Sequence, residues 1–293
     1  LHPSFQLTTD HRVGDWPLMS SPLPTIALIL LYLSCVWLGP QLMVSRQPFE
    51  LKWILVFYNL AIMLLNLYIG CELLYCALYR KYSWLCQLVD TSPNPHEVRI
   101  AKALWWYYFS KCIEFLDTIF FILRKKNRQL TFLHVYHHST MFGLWWIGVK
   151  WVPGGSAVPG AMANCFVHVL MYLYYALSAF GPAIKPYLCW KKYITIIQLV
   201  QFSAAMALGI YAIVTNCPFT RWMEYAFVAY TFSFIILFGD FYRKNYKRAQ
   251  ATSAKNKDKN ISSNFELEKK KGLVGNALFP SGNNNSKNKF YRE

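Results

Sequence analysis

"KWILVFYNLAIMLLNLYIGCELLYCAL", residues 52–78, carries no charged side chain between Lys52 and Glu72. A helix needs about 20 apolar residues to cross the hydrocarbon core of a bilayer, and this stretch has them. Six further runs of the same kind follow or precede it, at about 24–43, 103–123, 131–150, 158–179, 193–215 and 222–242. The composition agrees: 55% of the 293 residues are hydrophobic and only 15% charged, against about 25% charged in soluble domains. The fold expected is therefore all-α and integral to a membrane, with seven transmembrane helices. The domain plan is one membrane domain over 24–242, preceded by an N-terminal segment, 1–23, and followed by a basic tail, 243–293. The tail is rich in Lys and Asn and poor in aromatics, so it is expected to be disordered. No cleavable leader is expected ahead of the first run, and since the chain starts at Leu1 rather than Met, residues are expected to precede it.

The net charge of +16 does not indicate a nucleic-acid partner, because the cations sit beside the apolar runs or in the tail. Along alternate loops, thirteen Lys and Arg fall on the side that holds the C-terminus and seven on the other. The positive-inside rule then puts the C-terminus in the cytosol and, with seven spans, the N-terminus on the far side. Eight cysteines contain no CxxC pair and mostly lie within the runs, which disfavours a zinc ribbon or a small disulfide framework.

Polar side chains inside hydrocarbon are costly, and four clusters of them stand out. "KCIEFLDT" (111–118) sets Lys111, Glu114, Asp117 and Thr118 on one helical face, by steps of three and four. An internal Lys111–Glu114 ion pair would neutralise itself there, and this box is expected to serve shape more than chemistry. "HVYHH" sets His134, His137 and His138 on one face of the fourth run. "NCFVHVLMYLYY" (164–175) does the same for Asn164, His168, Met171, Tyr172 and Tyr175 in the fifth, and "TIIQLVQ" (195–201) for Thr195, Gln198 and Gln201 in the sixth. Buried glutamines often serve as hydrogen-bonding glue between helices, and Asn59 and Asn66 in the second run are expected to do the same. At 1.5 Å per residue, all four clusters fall in the cytosolic half of the membrane. They are expected to form one polar chamber there, walled by aromatics, with Lys111, Glu114, Asp117, Tyr172, Tyr175, Gln198 and Gln201 supporting the histidines.

HxxHH also occurs in di-iron desaturases and hydroxylases, which need about eight histidines. This chain has seven, of which His2, His11 and His96 lie outside the spans. A single zinc on His134, His138 and His168 has suitable spacing, yet the reading adopted has no metal and no cofactor. The alternatives are a membrane desaturase or hydroxylase with a metal at the histidine box, or a non-enzymatic seven-helix receptor or transporter.

KxxExxDT, HxxHH, HxxMYxYY and TxxQxxQ, in that order and spacing, resemble the ELO family of very-long-chain fatty acid elongases, over about residues 15–248. "QLTFLHVYHH" (129–138) is similar to the polyunsaturated-acyl subgroup, and "DWPLMSSPLPT" (15–25) with "WLGP" (37–40) to the vertebrate very-long-chain type. The resemblance implies a multi-pass protein of the endoplasmic reticulum with a lumenal N-terminus. It implies a 3-oxoacyl-CoA synthase that joins acyl-CoA to malonyl-CoA and holds the acyl chain in a tunnel through the helix bundle. It also implies the lipid bilayer and, in homo- or hetero-oligomers, other elongation-cycle enzymes as partners. Such elongases often end in a dilysine retrieval signal; this chain ends "NKFYRE", with Tyr291 at the position three from the end.

The residues fit that chemistry. The basic loops Arg124, Lys125, Lys126 and Arg128, and Lys191 and Lys192, are candidates for the CoA phosphates. With an ordinary imidazole pKa of about 6.5, a histidine is mostly neutral at cytosolic pH and can attack a thioester. His137 is the expected nucleophile, with His168 opposite it and His134 and His138 orienting. Asn164 or Gln198 is the expected oxyanion donor. Cys112 and Cys165 lie off the polar face. Cys86 and Cys217 fall in loops facing the oxidising lumen and are expected to form a disulfide.

Overall fold

A computed structural model describes residues 9–247. Residues up to Asp240 form one compact unit and those from Phe241 belong to a second. The described part of the second is the last turn of a helix and a π-helical turn, Arg243–Lys247, in which Asn245 Nδ2 donates to the Phe241 carbonyl (2.9 Å). Most of the tail expected at 243–293 lies outside the described residues.

The described residues form eight α-helices: α1 (Leu23–Leu42), α2 (Lys52–Tyr79), α3 (Pro95–Ile113), α4 (Phe115–Leu123), α5 (Phe132–Trp151), α6 (Ala157–Ala179), α7 (Lys191–Val214) and α8 (Arg221–Tyr242). Five of them, α1, α2, α6, α7 and α8, are long and apolar enough to cross a membrane. Two of the segments that fall short, α3 and α5, are richer in polar side chains. α3 holds Glu97, Arg99, Lys102 and Lys111, and α5 holds three histidines. Wide apolar faces look outward. α1 buries only Thr25 and Tyr32 and exposes Leu23, Leu30 and Trp37. Such a surface suits lipid rather than water.

The run expected as one span over 103–123 differs from that expectation in two ways. Its helix starts earlier, because Asn94 caps it: the side chain accepts from the His96 amide (2.9 Å), and Pro95 occupies the first turn, where a missing N–H costs nothing. It also breaks at Glu114, the single residue between α3 and α4, where the Asp117 amide bonds the Glu114 carbonyl in a tighter turn (3.1 Å). The break falls within the buried Lys111–Glu114 pair.

α2 lies along α6 over its length and also packs on α3; α1 packs on α4 and α5. Asn59 and Asn66 do not bridge helices as expected. Each donates to the carbonyl one turn back on α2, Leu55 (2.6 Å) and Ile62 (3.0 Å), because that acceptor is already within reach. α8 joins α5 and α7 through side chains: Thr140–Tyr230 (2.7 Å), Tyr136–Ser233 (3.0 Å) and the Phe202–Phe234 ring pair (5.1 Å between centroids). Gly209 allows α7 and α8 to meet, since a Cβ there would lie 2.7 Å from Val228.

One end of the bundle is closed by loops. Trp146 Nε1 and Lys150 Nζ donate to the carbonyls of Leu18 (2.8 Å) and Met19 (2.9 Å), so the N-terminal segment folds over the end of α5. The loop after α2 is held by Arg80, which pairs with Glu97 (2.8 Å) and Asp90 (3.0 Å). It is held again by Gly155, whose φ of +58° and closeness to the Gln87 carbonyl leave no room for a side chain. Cys86 and Cys217 are disulfide-bonded, with Cα atoms 5.8 Å apart, and tie this loop to the α7–α8 turn. At the opposite end, the α4–α5 turn docks on the α1–α2 turn through Lys125 Nζ to the Val44 carbonyl (3.0 Å).

Candidate active site

Four helical elements bring their polar faces to one place. At the α3–α4 junction, Lys111 Nζ bonds Glu114 Oε1 (2.7 Å), and both side chains are almost wholly buried. His168 of α6 completes the group: its Nδ1 lies 3.4 Å from Lys111 Nζ and 3.4 Å from Glu114 Oε1. One ring nitrogen cannot serve both partners at once. If Nδ1 accepts from Lys111, the proton sits on Nε2; if Nδ1 donates to Glu114, Nε2 offers a lone pair. The ion pair therefore sets which role His168 can play.

α5 starts at Thr131, whose side chain caps the His134 amide (3.2 Å). Three residues in, His134 Nε2 bonds Thr118 Oγ1 (2.7 Å), which in turn meets the Tyr32 hydroxyl (3.1 Å). His138, one turn on, holds its ring 4.3 Å from that of His134, tilted by 53°, and 5.2 Å from that of His137, edge-on at 86°. Its Nδ1 is buried without a hydrogen-bond partner among the described residues. His137, like His134, is partly exposed. Its ring lies 6.3 Å from His168 and 5.4 Å from Phe234 of α8, centroid to centroid. The four histidines thus form a continuous row in the order His134, His138, His137 and His168.

Asp117 does not engage Lys111. It accepts from the Tyr172 hydroxyl (2.7 Å), and Tyr58 of α2 faces the same carboxylate. The reason is rotational: Glu114 already occupies Lys111, and Asp117 is one helical step further round toward α6 and α2. Tyr175 packs its ring against Tyr172 (5.9 Å). Asn164 Oδ1 accepts from the Tyr107 hydroxyl (2.6 Å), so the group that Asn164 has left to offer is its Nδ2 donor.

Beyond Asn164 an apolar cavity of about 270 Å³ opens between α5, α6, α7 and α8. Tyr107, Asn164, Gln201 and Phe234 border it beside the histidines; Trp84, Phe219 and Trp222 border it beside the disulfide-linked loops. Gln201 belongs to this cavity rather than to the histidine row, and its Oε1 is buried without a partner among the described residues. Gln198 makes only a long contact to the Met171 sulfur (3.8 Å). Cys165 is buried against Gly70 of α2.

The basic residues stand at the end of the bundle nearest the histidines. Lys126 and Arg128 are exposed in the α4–α5 turn, Arg124 and Lys125 precede them, and Lys191 and Lys192 open α7. The side chain of Lys185 lies outside the described residues. Among the described residues, no three His, Cys, Asp or Glu side chains are arranged to hold a metal.

Tyr107, Tyr58, Tyr32 and Glu224 belong to the chamber or its cavity and were not singled out from sequence. Tyr107 had a signal: with Lys111, Glu114 and Thr118 it continues one face by steps of four, three and four, and Lys111 Nζ sits 4.6 Å over its ring. Tyr58 and Tyr32 had none, since each is one aromatic among many on its helix.

The family model described as "ELO: GNS1/SUR4 family" matches residues 17–254. "Very long chain fatty acid elongase 4" of Mus musculus is 53% identical over 265 residues, covering 90% of this chain and 85% of its own. The protein of the same name from Homo sapiens is 52% identical over 266 residues, with the same coverage. "Very long chain fatty acid elongase 5" of Tachysurus fulvidraco is 49% identical over 247 residues, 84% of this chain and 83% of its own.

Proposed function

The chain belongs to the ELO family, GNS1/SUR4, and from that premise we propose that it is the condensing enzyme of fatty acid elongation. It joins a very-long-chain acyl-CoA to malonyl-CoA and yields 3-oxoacyl-CoA, carbon dioxide and CoA. The observation that carries this reading is the row of four histidines, His134, His138, His137 and His168, which stands between basic turns and an apolar cavity. A charged head and an apolar tail need those three environments in that order.

In the mechanism we favour, a ring nitrogen of His137 attacks the thioester carbon. The oxyanion that develops takes a hydrogen bond from Asn164 Nδ2, held ready by Tyr107. The carbonyl reforms, the C–S bond breaks, CoA thiolate leaves, and the imidazole N–H proton passes to it, leaving an acyl-imidazole. Malonyl-CoA then loses carbon dioxide, and the resulting enolate carbon attacks the acyl-imidazole. His137 departs and regains a proton, and 3-oxoacyl-CoA is released. His168, opposite, has its proton positioned by Lys111 and Glu114 and is suited to proton transfer at either step.

The helix order supports seven spans: α3 and α4 act as one and α5 crosses with its histidines shielded by the other helices. The domain runs over 24–242 in the reticulum membrane, with the N-terminus lumenal and the C-terminus cytosolic. The basic turns Arg124–Arg128 and Lys191–Lys192 then meet CoA at the cytosolic mouth. Polyunsaturated chains are the preferred substrates by the likeness of residues 129–138. Partners are acyl-CoA, malonyl-CoA, the bilayer and the other enzymes of the elongation cycle.

The test is a half-reaction. Purified protein is incubated with acyl-CoA and no malonyl-CoA. One equivalent of free CoA and a hydroxylamine-labile acyl-protein are expected, both lost in His137→Ala and both unaffected by chelators. Appearance of CoA only after malonyl-CoA is added refutes the covalent route and leaves His137 as a base in a single-step condensation. Loss of activity with chelators would revive the metal alternative.

A further inference from the structure

The cavity ends at a carboxyl group. Glu224, in the first turn of α8, borders it beside Trp222 and Phe219, and the residue is only 6% exposed. Its Oε1 is wholly buried and has no hydrogen-bond partner among the described residues. Arg221, one turn earlier, directs its Nη2 to Asn216 Oδ1 instead (2.7 Å). A carboxyl oxygen left without a partner in an apolar cavity is expensive. The N-terminal end of α8 offsets part of that cost through its dipole, but it supplies no donor to Oε1. A tail made only of methylene groups would leave the oxygen unsatisfied as well, so an all-hydrocarbon substrate does not account for Glu224.

The distance to the chemistry can be read along α8. Glu224 precedes Phe234 by ten residues, about 15 Å of helix, and the Phe234 ring packs on that of His137. An extended chain of single bonds advances about 1.2 Å per bond, since a residue of three bonds spans at most ~3.6 Å. A thioester carbon at His137 therefore places the atom about 12–14 positions along the chain beside Glu224.

We propose that Glu224 is a specificity subsite for hydroxylated acyl chains, accepting a hydrogen bond from a hydroxyl carried about 12–14 carbons from the thioester. The hydroxyl is either terminal, on a chain of that length, or within a longer chain that runs past Glu224. A hydroxyl nearer the histidines meets other polar groups of the cavity, the unpartnered Gln201 Oε1 among them, at positions closer to the thioester. The inference rests on the elongase reading and on the cavity holding the acyl chain.

The experiment uses the full chain in lipid nanodiscs with malonyl-CoA and a set of octadecanoyl-CoA isomers, each with one hydroxyl at a position from about 8 to about 16. kcat/KM for each is divided by that for plain octadecanoyl-CoA. The ratio is expected to peak at about carbon 12–14 and to fall roughly tenfold or more on either side, as for a hydrogen bond to a charged group. Glu224→Leu should flatten the peak, and Glu224→Gln should retain part of it. A ratio equally low at all positions in the unaltered protein overturns the proposal, as does a peak that survives Glu224→Leu. The scan on the unaltered protein decides even if neither variant folds. No elongation of the plain chain would instead sink the parent reading, and binding of the same isomers, read as thermal stabilisation, would still report on Glu224.

Discussion

Removing one member of the Lys111–Glu114 pair should harm the protein more than removing both. The two side chains are 1% and 0% exposed, and their contact is 2.7 Å. Lys111→Met leaves a buried carboxylate whose only remaining neighbour is His168 Nδ1 at 3.4 Å, and whose Oε2 already has no partner among the described residues. Breaking a buried pair in this way costs about 3–5 kcal/mol. For a chain of this size that is a fall in Tm of about 10 °C. Glu114→Gln should cost somewhat less, because the amide oxygen still accepts from Lys111. Lys111→Met combined with Glu114→Gln removes both charges and should recover most of the loss, since neutral replacement of a buried pair is often nearly free. Activity should not recover with it. His168 would then lose the two partners that decide where its ring proton sits, and kcat should remain roughly tenfold to a hundredfold down. Thermal unfolding of the detergent-purified proteins and initial rates on one acyl-CoA measure the two effects separately. A Lys111→Met protein with unchanged Tm would refute the energetic argument. A stable double variant with full kcat would refute the assignment of the pair to His168.

Two further outcomes are expected. Tyr107→Phe deletes the hydroxyl that holds Asn164 Oδ1 at 2.6 Å, so kcat should drop by about tenfold with KM little altered; a change confined to KM would mean that Asn164 binds substrate rather than the oxyanion. The disulfide closes a loop with a sequence separation of 131, worth about 4–5 kcal/mol by chain entropy. Reductant should therefore lower Tm and slow the protein on a gel, and identical mobility and thiol labelling with and without reductant would show that the bond is not formed.

The helices were legible because the apolar runs are long and their interruptions few: the runs expected from sequence match α1, α2 and α5 to α8 within a few residues, while the third starts eight residues earlier, at Pro95, and is split into α3 and α4. The boxes were legible for a similar reason, since a polar residue in a run of hydrocarbon can be placed on a face by counting. What counting cannot give is the angle at which one face meets another. Asp117 shares a face with Lys111, yet it turns to Tyr172 of α6. Asn59 and Asn66 look like bridges, yet they fold back on α2. Tyr32 and Tyr58 are ordinary aromatics until α1 and α2 carry them to Thr118 and Asp117. Each of these depends on tertiary packing, and no local spacing encodes it.

The same limit explains the cavity. α7 and α8 read as plain spans with a few polar positions, Gln198, Gln201 and Glu224 among them, and nothing in either run announces a void. The void arises because α8 is held at two levels with a gap between. Toward the histidines, Phe234 packs on His137 and Phe202; toward the other end, the Cys86–Cys217 bond ties the α7–α8 turn to the loop after α2. Between those anchors, α8 meets α5 through Tyr230, whose hydroxyl bonds Thr140 and whose ring faces that of Tyr136. A helix pinned at its ends and propped in the middle leaves a slot along its length. In this chain the slot starts beside Phe234, which packs on His137, and ends beside Glu224, whose Oε1 has no partner among the described residues.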